Sequence, residues 1–245
     1  MNDEFPNKKR VEVCPSPKQF DLYQWDFSIV VAIDVLRATS AICTALHHGV
    51  EKIIPVSTLE EAFEYKRQGY HVGAERNGEI VEGFEFGNSP FSYMDDKYKG
   101  KTLVLTTTNG TRAINIASKT HKVVAGSFLN LDALADWLIE QDDNVLLLCS
   151  GWKDKFNLED TVCAGALTES LLATNKFKSD EDSTIAAMFL YQSARDNYWS
   201  FLKHSSHRRR LKRLNLNEDI KYCLTPNQTQ VIPILKNGVL EKLPQ

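Results

Sequence analysis

The stretch Ile29-Val30-Val31-Ala32-Ile33 is apolar and mostly β-branched, and it ends abruptly in Asp34, with Arg37, Thr39 and Ser40 close behind. A run that short and that apolar reads as a strand buried on both faces, the pattern of a parallel sheet covered by helices. The apolar pattern resumes at once in Ala41-Ile42-Cys43-Thr44-Ala45-Leu46. The strand therefore leads into a helix whose N-terminus lies beside an acid and an arginine. Open α/β sheets bind ligands outside the carboxyl ends of their strands, and a helix N-terminus offers unpaired N–H groups to an anion. The stretch predicts an anion site with a carboxylate next to it, suited to a phosphorylated small molecule.

The same alternation continues along the chain. Lys52 to Val56 reads as a strand. Ser57-Thr58-Leu59-Glu60 resembles a capping box opening a helix over Leu59 to Gln68, which Gly69 ends. Tyr70 to Ala74, Lys101 to Thr106, Lys122 to Ala125 and Asn144 to Cys149 read as further strands. Helices are expected from about Ala113, over Leu131 to Gln141, and from near Glu159 to Leu172. Asn77 to Pro90 is rich in glycine and turn formers and reads as a loop excursion. The expectation is an α/β fold with a largely parallel sheet flanked by helices in three layers. From Asp182 the texture turns helical, aromatic and basic, and Val231-Ile232-Pro233-Ile234-Leu235 with the turn Lys236-Asn237-Gly238 is expected to add an edge hairpin. One unit over residues 1–245 is the economical reading, with a catalytic core at about 1–180 and a helical part at 181–245 that returns to the sheet.

Charge and cysteine usage narrow the function classes. The formal net charge is −3, so no global basic field holds nucleic acid. The basic cluster His207 to Arg213 reads as a solvated helix face, near a subunit contact if Trp199 and Phe201 support a homodimer. Five scattered cysteines (Cys14, Cys43, Cys149, Cys163, Cys223) form no C-x-x-C pair and suit reduced, buried thiols. The start Met1-Asn2-Asp3-Glu4-Phe5-Pro6 has no apolar leader, and no apolar segment approaches spanning length. The expectation is a cytoplasmic protein with neither a membrane nor a nucleic acid as partner.

The polar residues collect where strands end: Asp34, Arg37, Thr39 and Ser40, then Glu75 and Arg76, then Asn109 to Arg112, then Glu159 and Asp160. In a parallel sheet those ends share one edge, so the loops can converge. Arginine forks bind phosphate, carboxylate or sulfonate, whereas several carboxylates repel such an anion unless a cation lies between them. Magnesium is hard, oxygen-seeking and commonly held by one or two carboxylates plus a phosphate. The mixture predicts metal-assisted phosphoryl hydrolysis. Each piece has a plainer reading beside it: Asp34 as an N-cap with Arg37 paired to it, Glu159 and Asp160 as first-turn acids, Asn109-Gly110 as a turn.

Other phosphatase chemistries are missing from the text. No cysteine has an arginine six positions on, no Arg-His-Gly triplet occurs, and Leu36 stands where an aspartyl-nucleophile site needs its second acid. There is no Walker-type loop and no Gly-x-Gly-x-x-Gly. The motifs that are present, Asp34-Val35-Leu36-Arg37-Ala38-Thr39-Ser40, Gly73-Ala74-Glu75-Arg76-Asn77-Gly78, Gly83-Phe84-Glu85-Phe86-Gly87-Asn88-Ser89-Pro90 and Thr106-Thr107-Thr108-Asn109-Gly110-Thr111-Arg112, resemble the 2-phosphosulfolactate phosphatase (ComB) family. Cys149-Ser150-Gly151, Phe156-Asn157-Leu158-Glu159-Asp160, Arg209-Arg210-Leu211 and Val231-Ile232-Pro233 continue the likeness in order over most of the chain.

The resemblance implies a Mg²⁺-dependent hydrolase that converts 2-phospho-3-sulfolactate to 3-sulfolactate, on an α/β architecture of its own. That reaction belongs to coenzyme M biosynthesis in some organisms. Asp34, Glu75 and Asp160 are the expected metal ligands, and Asp34, Arg37, Glu159 and Asp160 the expected catalytic set, with Glu159 as substitute for Asp160. Arg37, Thr39, Arg76, Asn88, Ser89, Thr107, Thr108, Asn109, Gly110 and Arg112 are the expected substrate contacts. The alternatives are a phosphatase of another small phosphorylated hydroxy acid and a non-catalytic binder of such acids.

Overall fold

A computed structural model describes residues 8–23, 27–118 and 122–244. The leader reading of residues 1–6 falls outside them. Eleven strands form one sheet among the described residues: β1 (Lys9–Cys14), β2 (Ile29–Ile33), β3 (Lys52–Pro55), β4 (His71–Arg76), β5 (Glu79–Ile80), β6 (Thr102–Thr106), β7 (Lys122–Gly126), β8 (Val145–Cys149), β9 (Phe177–Lys178), β10 (Pro233–Lys236) and β11 (Val239–Lys242), in the order β5-β4-β6-β3-β11-β10-β7-β2-β8-β1-β9. The helices are α1 (Ala38–His47), α2 (Leu59–Arg67), α3 (Gly110–Ala117), α4 (Leu131–Gln141), α5 (Leu158–Ala173), α6 (Asp182–Ala194), α7 (Tyr198–Phe201), α8 (Ser206–Arg213) and α9 (Asn217–Cys223). The α/β class expected from the alternation is the one observed. None of the described helices is long and apolar enough to cross a membrane.

Side chains alternate across a strand, and the two faces of the sheet bury separate clusters. Val11, Val13, Ile29, Val31, Ile33, Val145 and Leu147 pack with α4 and α5 on one side. Val30, Ala32, Leu146, Leu148, Leu103 and Leu105 pack with α1 and α3 on the other. Five-residue strands with no polar position inside them are the product of that double burial. Helix α1 is buried from Ala38 to Leu46, so its hydroxyls turn inward: Ser40 Oγ donates to Val35 O at 2.8 Å and Thr44 Oγ1 to Ser40 O at 2.8 Å.

The sheet departs from a single parallel array in one respect that governs the site. Strands β4, β6 and β3 are parallel to one another, and so are β7, β2, β8, β1 and β9. Between the two blocks lies the hairpin β10–β11, antiparallel to both β7 and β3. Three antiparallel steps reverse the sense, so the two blocks run in opposite directions. By direction alone the carboxyl ends of the two blocks do not share one edge, contrary to the expectation, yet the loops after β2, β4 and β6 come together. Gly110 at the start of α3, after β6, shows the contact, because a Cβ there would lie 2.5 Å from Ala38 Cβ and 2.9 Å from Asp34 Oδ2, after β2. The C-terminal hairpin is likewise central, not an edge addition. Each of its joints is held by one registered pair, Ile234 with Val124 and Leu240 with Ile53.

Smaller differences have local causes. The capping box of α2 is Thr58 with Glu61, one residue later than the sequence suggests: Thr58 Oγ1 accepts from Glu61 N at 3.2 Å and Glu61 Oε2 from Thr58 N at 3.0 Å. Helix α3 begins three residues before Ala113, its first turn tied by Thr111 N to Thr107 Oγ1 and Thr107 N to Thr111 Oγ1. Strand β1 went unread because Arg10 and Glu12 interrupt its apolar positions. In the fold these two side chains form an ion pair with Glu12 buried.

Candidate active site

Where the two blocks meet, a narrow crevice of about 10 Å³ is lined by Asp34, Arg37, Glu75, Asn88, Asn109 and His207. That is room for about one water-sized group. It adjoins a wider cavity of about 420 Å³, lined by Arg37, Asn88, Ser89 and Glu79 with the backbone of Gly78 and Gly87. Arg37, Gly78 and Asn88 belong to both, so the two spaces form one site with an acidic end and a larger, mixed end.

Asp34 is set by the start of α1. Its main chain is clasped by Thr39, whose Oγ1 accepts from Asp34 N at 3.0 Å and donates to Asp34 O at 2.9 Å. Its Oδ1 accepts from Ala38 N at 3.3 Å, the helix N-terminal donor expected beside a strand-end acid. Burial, with the charges of Glu75 and Glu159, pushes the Asp34 carboxyl up to about 6 against the lowering charge of His207 and the Ala38 bond. Glu75, from the other block, accepts from Gly78 N at 2.5 Å and from Thr108 N at 3.2 Å. Arg37 is 4% exposed. It donates to Asp219 Oδ2 at 2.5 Å and Gly78 O at 2.8 Å, which ties α9 and the β4–β5 turn to the end of β2.

Glu159 and Asp160 open α5 and are both fully buried. Asp160 accepts from Val35 N at 2.9 Å, Gly151 N at 3.1 Å and Asn157 Nδ2 at 2.9 Å. Burial, then the charges of Asp34 and Glu159, push its carboxyl well above the ordinary range. Both of its oxygens are thus occupied in holding the loops after β2 and β8. Glu159 accepts from Ser205 Oγ at 2.9 Å and lies 2.8 Å from His207 Nδ1.

The structure brings together only part of the expected set. Asp34, Arg37, Glu75, Asn88 and Asn109 line the crevice, and Ser89 the wider cavity. Arg76 turns back to Glu75 O at 2.6 Å and Thr106 Oγ1 at 3.0 Å. Arg112 pairs with Asp154 at 2.6 Å in a half-exposed position. Thr107 caps α3 and Thr108 supports Glu75. Neither Arg76, Arg112 nor Asp160 is among the residues lining the two spaces. Sequence reasoning gave no site role to His207, Trp152 or Asp219. Helix α8 is not wholly a solvated basic face: Arg209, Lys212 and Arg213 are exposed, but His207, Arg208 and Leu211 are buried. The available signal was Leu211, four residues after His207 and so on the same side of the helix.

The oxygen-rich end suits a hard cation. Two carboxylates from opposite blocks reach one crevice, and Asn88 Oδ1 beside them is buried without a hydrogen-bond partner. Among the described residues no three His, Cys, Asp or Glu side chains gather into a metal cluster. Asp34 and Glu75, with the Asn88 amide oxygen, are the residues that would hold such a cation, its remaining positions being left to phosphate and water.

Comparison with known proteins gives the family. The family model described as 2-phosphosulpholactate phosphatase matches residues 14–238. A probable 2-phosphosulfolactate phosphatase of Caldanaerobacter subterraneus subsp. tengcongensis is 41% identical over 215 residues, covering 86% of this chain and 89% of the relative. Relatives of the same name from Thermotoga maritima and Clostridium perfringens are 43% identical over 209 residues and 38% over 238, covering 85% and 95% of this chain and 89% and 96% of theirs. These matches make the chain an α/β enzyme of the phosphoric monoester hydrolase class. Within that class it belongs to the 2-phosphosulfolactate phosphatase family.

Proposed function

We propose that the protein is a Mg²⁺-dependent phosphatase that releases phosphate from 2-phospho-3-sulfolactate, with the cation at the acidic crevice, the phosphoryl group at its junction with the wider cavity and the rest of the substrate in that cavity. The observation that carries this reading is the junction of the two spaces at Arg37 and Asn88. It sets a cation-holding pair of acids directly beside room for a three-carbon acid. Bound Mg²⁺ would neutralise charge on the phosphoryl oxygens and lower the barrier to attack by water.

The chain's own groups do the remainder. Asp34 and Glu75 hold the cation, and Asp34 takes a proton from the attacking water. Arg37, fixed by Asp219 and Gly78, offers its fork to one of the substrate's anionic groups, and Ser89 supplies a hydroxyl beside it. Asp160 acts from below by fixing Val35 and Gly151. We place the protein in the cytoplasm, where its five free, buried thiols persist.

The test is phosphate release from 2-phospho-3-sulfolactate and from a panel of phosphorylated 2-hydroxy acids, with Mg²⁺ and with EDTA. Turnover of the sulfonate that EDTA abolishes is the expected result. Turnover confined to another panel member would replace the substrate, and turnover indifferent to EDTA would remove the cation. An independent readout is thermal: Mg²⁺ raises the unfolding temperature of the wild-type chain by mass action and leaves that of Asp34→Asn unmoved.

A further inference from the structure

Resting on the phosphatase reading, we infer that His207 is the proton donor to the oxygen that leaves phosphorus, and that Glu159 is the residue that positions it. His207 is in the first turn of α8, 7% exposed, and lines the same crevice as Asp34 and Glu75. Its Nδ1 lies 2.8 Å from Glu159 Oε1, and Ser205 Oγ donates to the other Glu159 oxygen at 2.9 Å. Burial alone would raise the Glu159 carboxyl. The hydrogen bonds from His207 and Ser205, with the charge of His207, more than offset it and leave the group below its ordinary range. A carboxylate so held accepts only, so the proton of that bond sits on Nδ1. Nε2 is the ring nitrogen left to serve the crevice.

The ring is also held sideways. The Trp152 ring packs against it at 5.3 Å between centroids, and the Arg210 guanidinium lies over Trp152 at 4.0 Å. An imidazole fixed by a buried carboxylate at one nitrogen and by an aromatic wall on its face is built for orientation, because either feature alone would satisfy a packing role.

Elimination among the crevice residues leads to the same group. Asp34 and Glu75 line the crevice as the acids that would hold the cation, and Asp34 is the acceptor of the water proton, so neither is left to protonate the leaving oxygen. Asn88 and Asn109 do not ionise. The Arg37 guanidinium is engaged by Asp219 and Gly78. Yet the leaving oxygen of a hydroxy-acid ester is an alkoxide if it departs bare, and such a strongly basic group departs far faster when it is protonated as the bond breaks. In the step, water oxygen bonds to phosphorus and one water proton passes to the Asp34 carboxylate. The ester O–P bond breaks with its electron pair moving to the ester oxygen, which takes the proton from His207 Nε2. The products are the free hydroxy acid and hydrogen phosphate. His207 is left neutral with Nδ1–H still on Glu159, and solvent restores both protons to their starting places.

The experiment uses 2-phospho-3-sulfolactate carrying ¹⁸O at the bridging position, with Mg²⁺, on the full chain. His207→Asn keeps an amide that can reach Glu159 in place of Nδ1 but has no counterpart of Nε2, and His207→Gln is the second variant should the first fail to fold. The expected result is a kcat lower by about 10²–10⁴-fold, KM within a few-fold of wild type, and a larger bridging-oxygen isotope effect, because the oxygen then leaves with more negative charge. Glu159→Gln moves the isotope effect in the same direction by a smaller amount. A kcat within tenfold of wild type, or a depressed kcat with the isotope effect unchanged, would overturn the assignment. No release by the wild-type chain would instead remove the phosphatase reading on which it rests, so the two failures are distinct.

Discussion

Asp34 illustrates how a working residue costs the fold. Its carboxyl is ordinary in the unfolded chain, near 3.8, and about 6 in the native one. The native state therefore binds more protons between those values, so stability is fully present below the lower value and is lost as pH rises through the upper one. The shift corresponds to about 3 kcal/mol above pH 6. Asp34→Asn, whose amide oxygen can still accept from Ala38 N, is expected to abolish most turnover yet melt higher than wild type in EDTA at pH 7.5, with the gain gone near pH 4. Calorimetry at the two pH values checks this, and an equal or lower melting temperature at pH 7.5 would contradict it. The residues legible before the structure were those adjoining apolar runs: Asp34 after Ile33, Glu75 after Ala74, Asn109 after a strand that ends at Thr106. His207 was not, because it comes late in the chain inside a cationic run that composition alone assigns to solvent. Its partner Glu159 was legible only as one of two neighbouring acids, and nothing in the sequence told which would hold a loop and which a histidine.

At the scale of elements, the packing of α5 on α6 is the tightest approach. A Cβ on Gly165 would lie 2.0 Å from Ala187 O and 2.6 Å from its carbonyl carbon, so backbone must give way. Helix α6 cannot retreat freely, because Thr184 Oγ1 accepts from Val13 N at 2.9 Å and Ser183 Oγ donates to Val13 O at 2.7 Å, tying it to β1. Gly165→Ala is expected to destabilise by about 1–3 kcal/mol, as overpacking of a filled interior does, read as a fall in the urea midpoint; an unchanged midpoint would mean the helices slide. Elements with clean periodicity were readable almost to the residue, α4 at Leu131–Gln141 and β2 at Ile29–Ile33 among them. Those that failed to announce themselves, β1 with its Arg10–Glu12 pair and the two-residue β5 and β9, owe their pairing to neighbours that no local pattern reveals.

For the whole molecule the decisive fact is the reversal of sense between the two parallel blocks, which no stretch of sequence encodes because strand order is a property of pairing. Antiparallel insertion of β10–β11 between β3 and β7 is what unites the blocks into one sheet. A chain ending at Thr229 would leave β3 and β7 as open edges over apolar clusters, the arrangement that invites association with other chains. Such a truncation is expected to be insoluble or aggregated on size-exclusion chromatography, and a monomeric, active product would show that the hairpin is dispensable. The site nevertheless draws on β2, β4, β6 and α8 at once, because the loops after those strands converge on one crevice, where Gly110 lies against Ala38 and Asp34.

The position of that hairpin carries a consequence in time. Synthesis proceeds from the N-terminus at about 5–20 residues per second, so Asp34, Glu75 and Asn109 have all left the ribosome long before the two strands that join their blocks exist. A nascent chain can assemble each block around its own helices, but the two blocks cannot be clamped together until Pro233 to Lys242 has emerged. A ribosome stalled before that point carries two finished-looking halves and a catalytically silent protein.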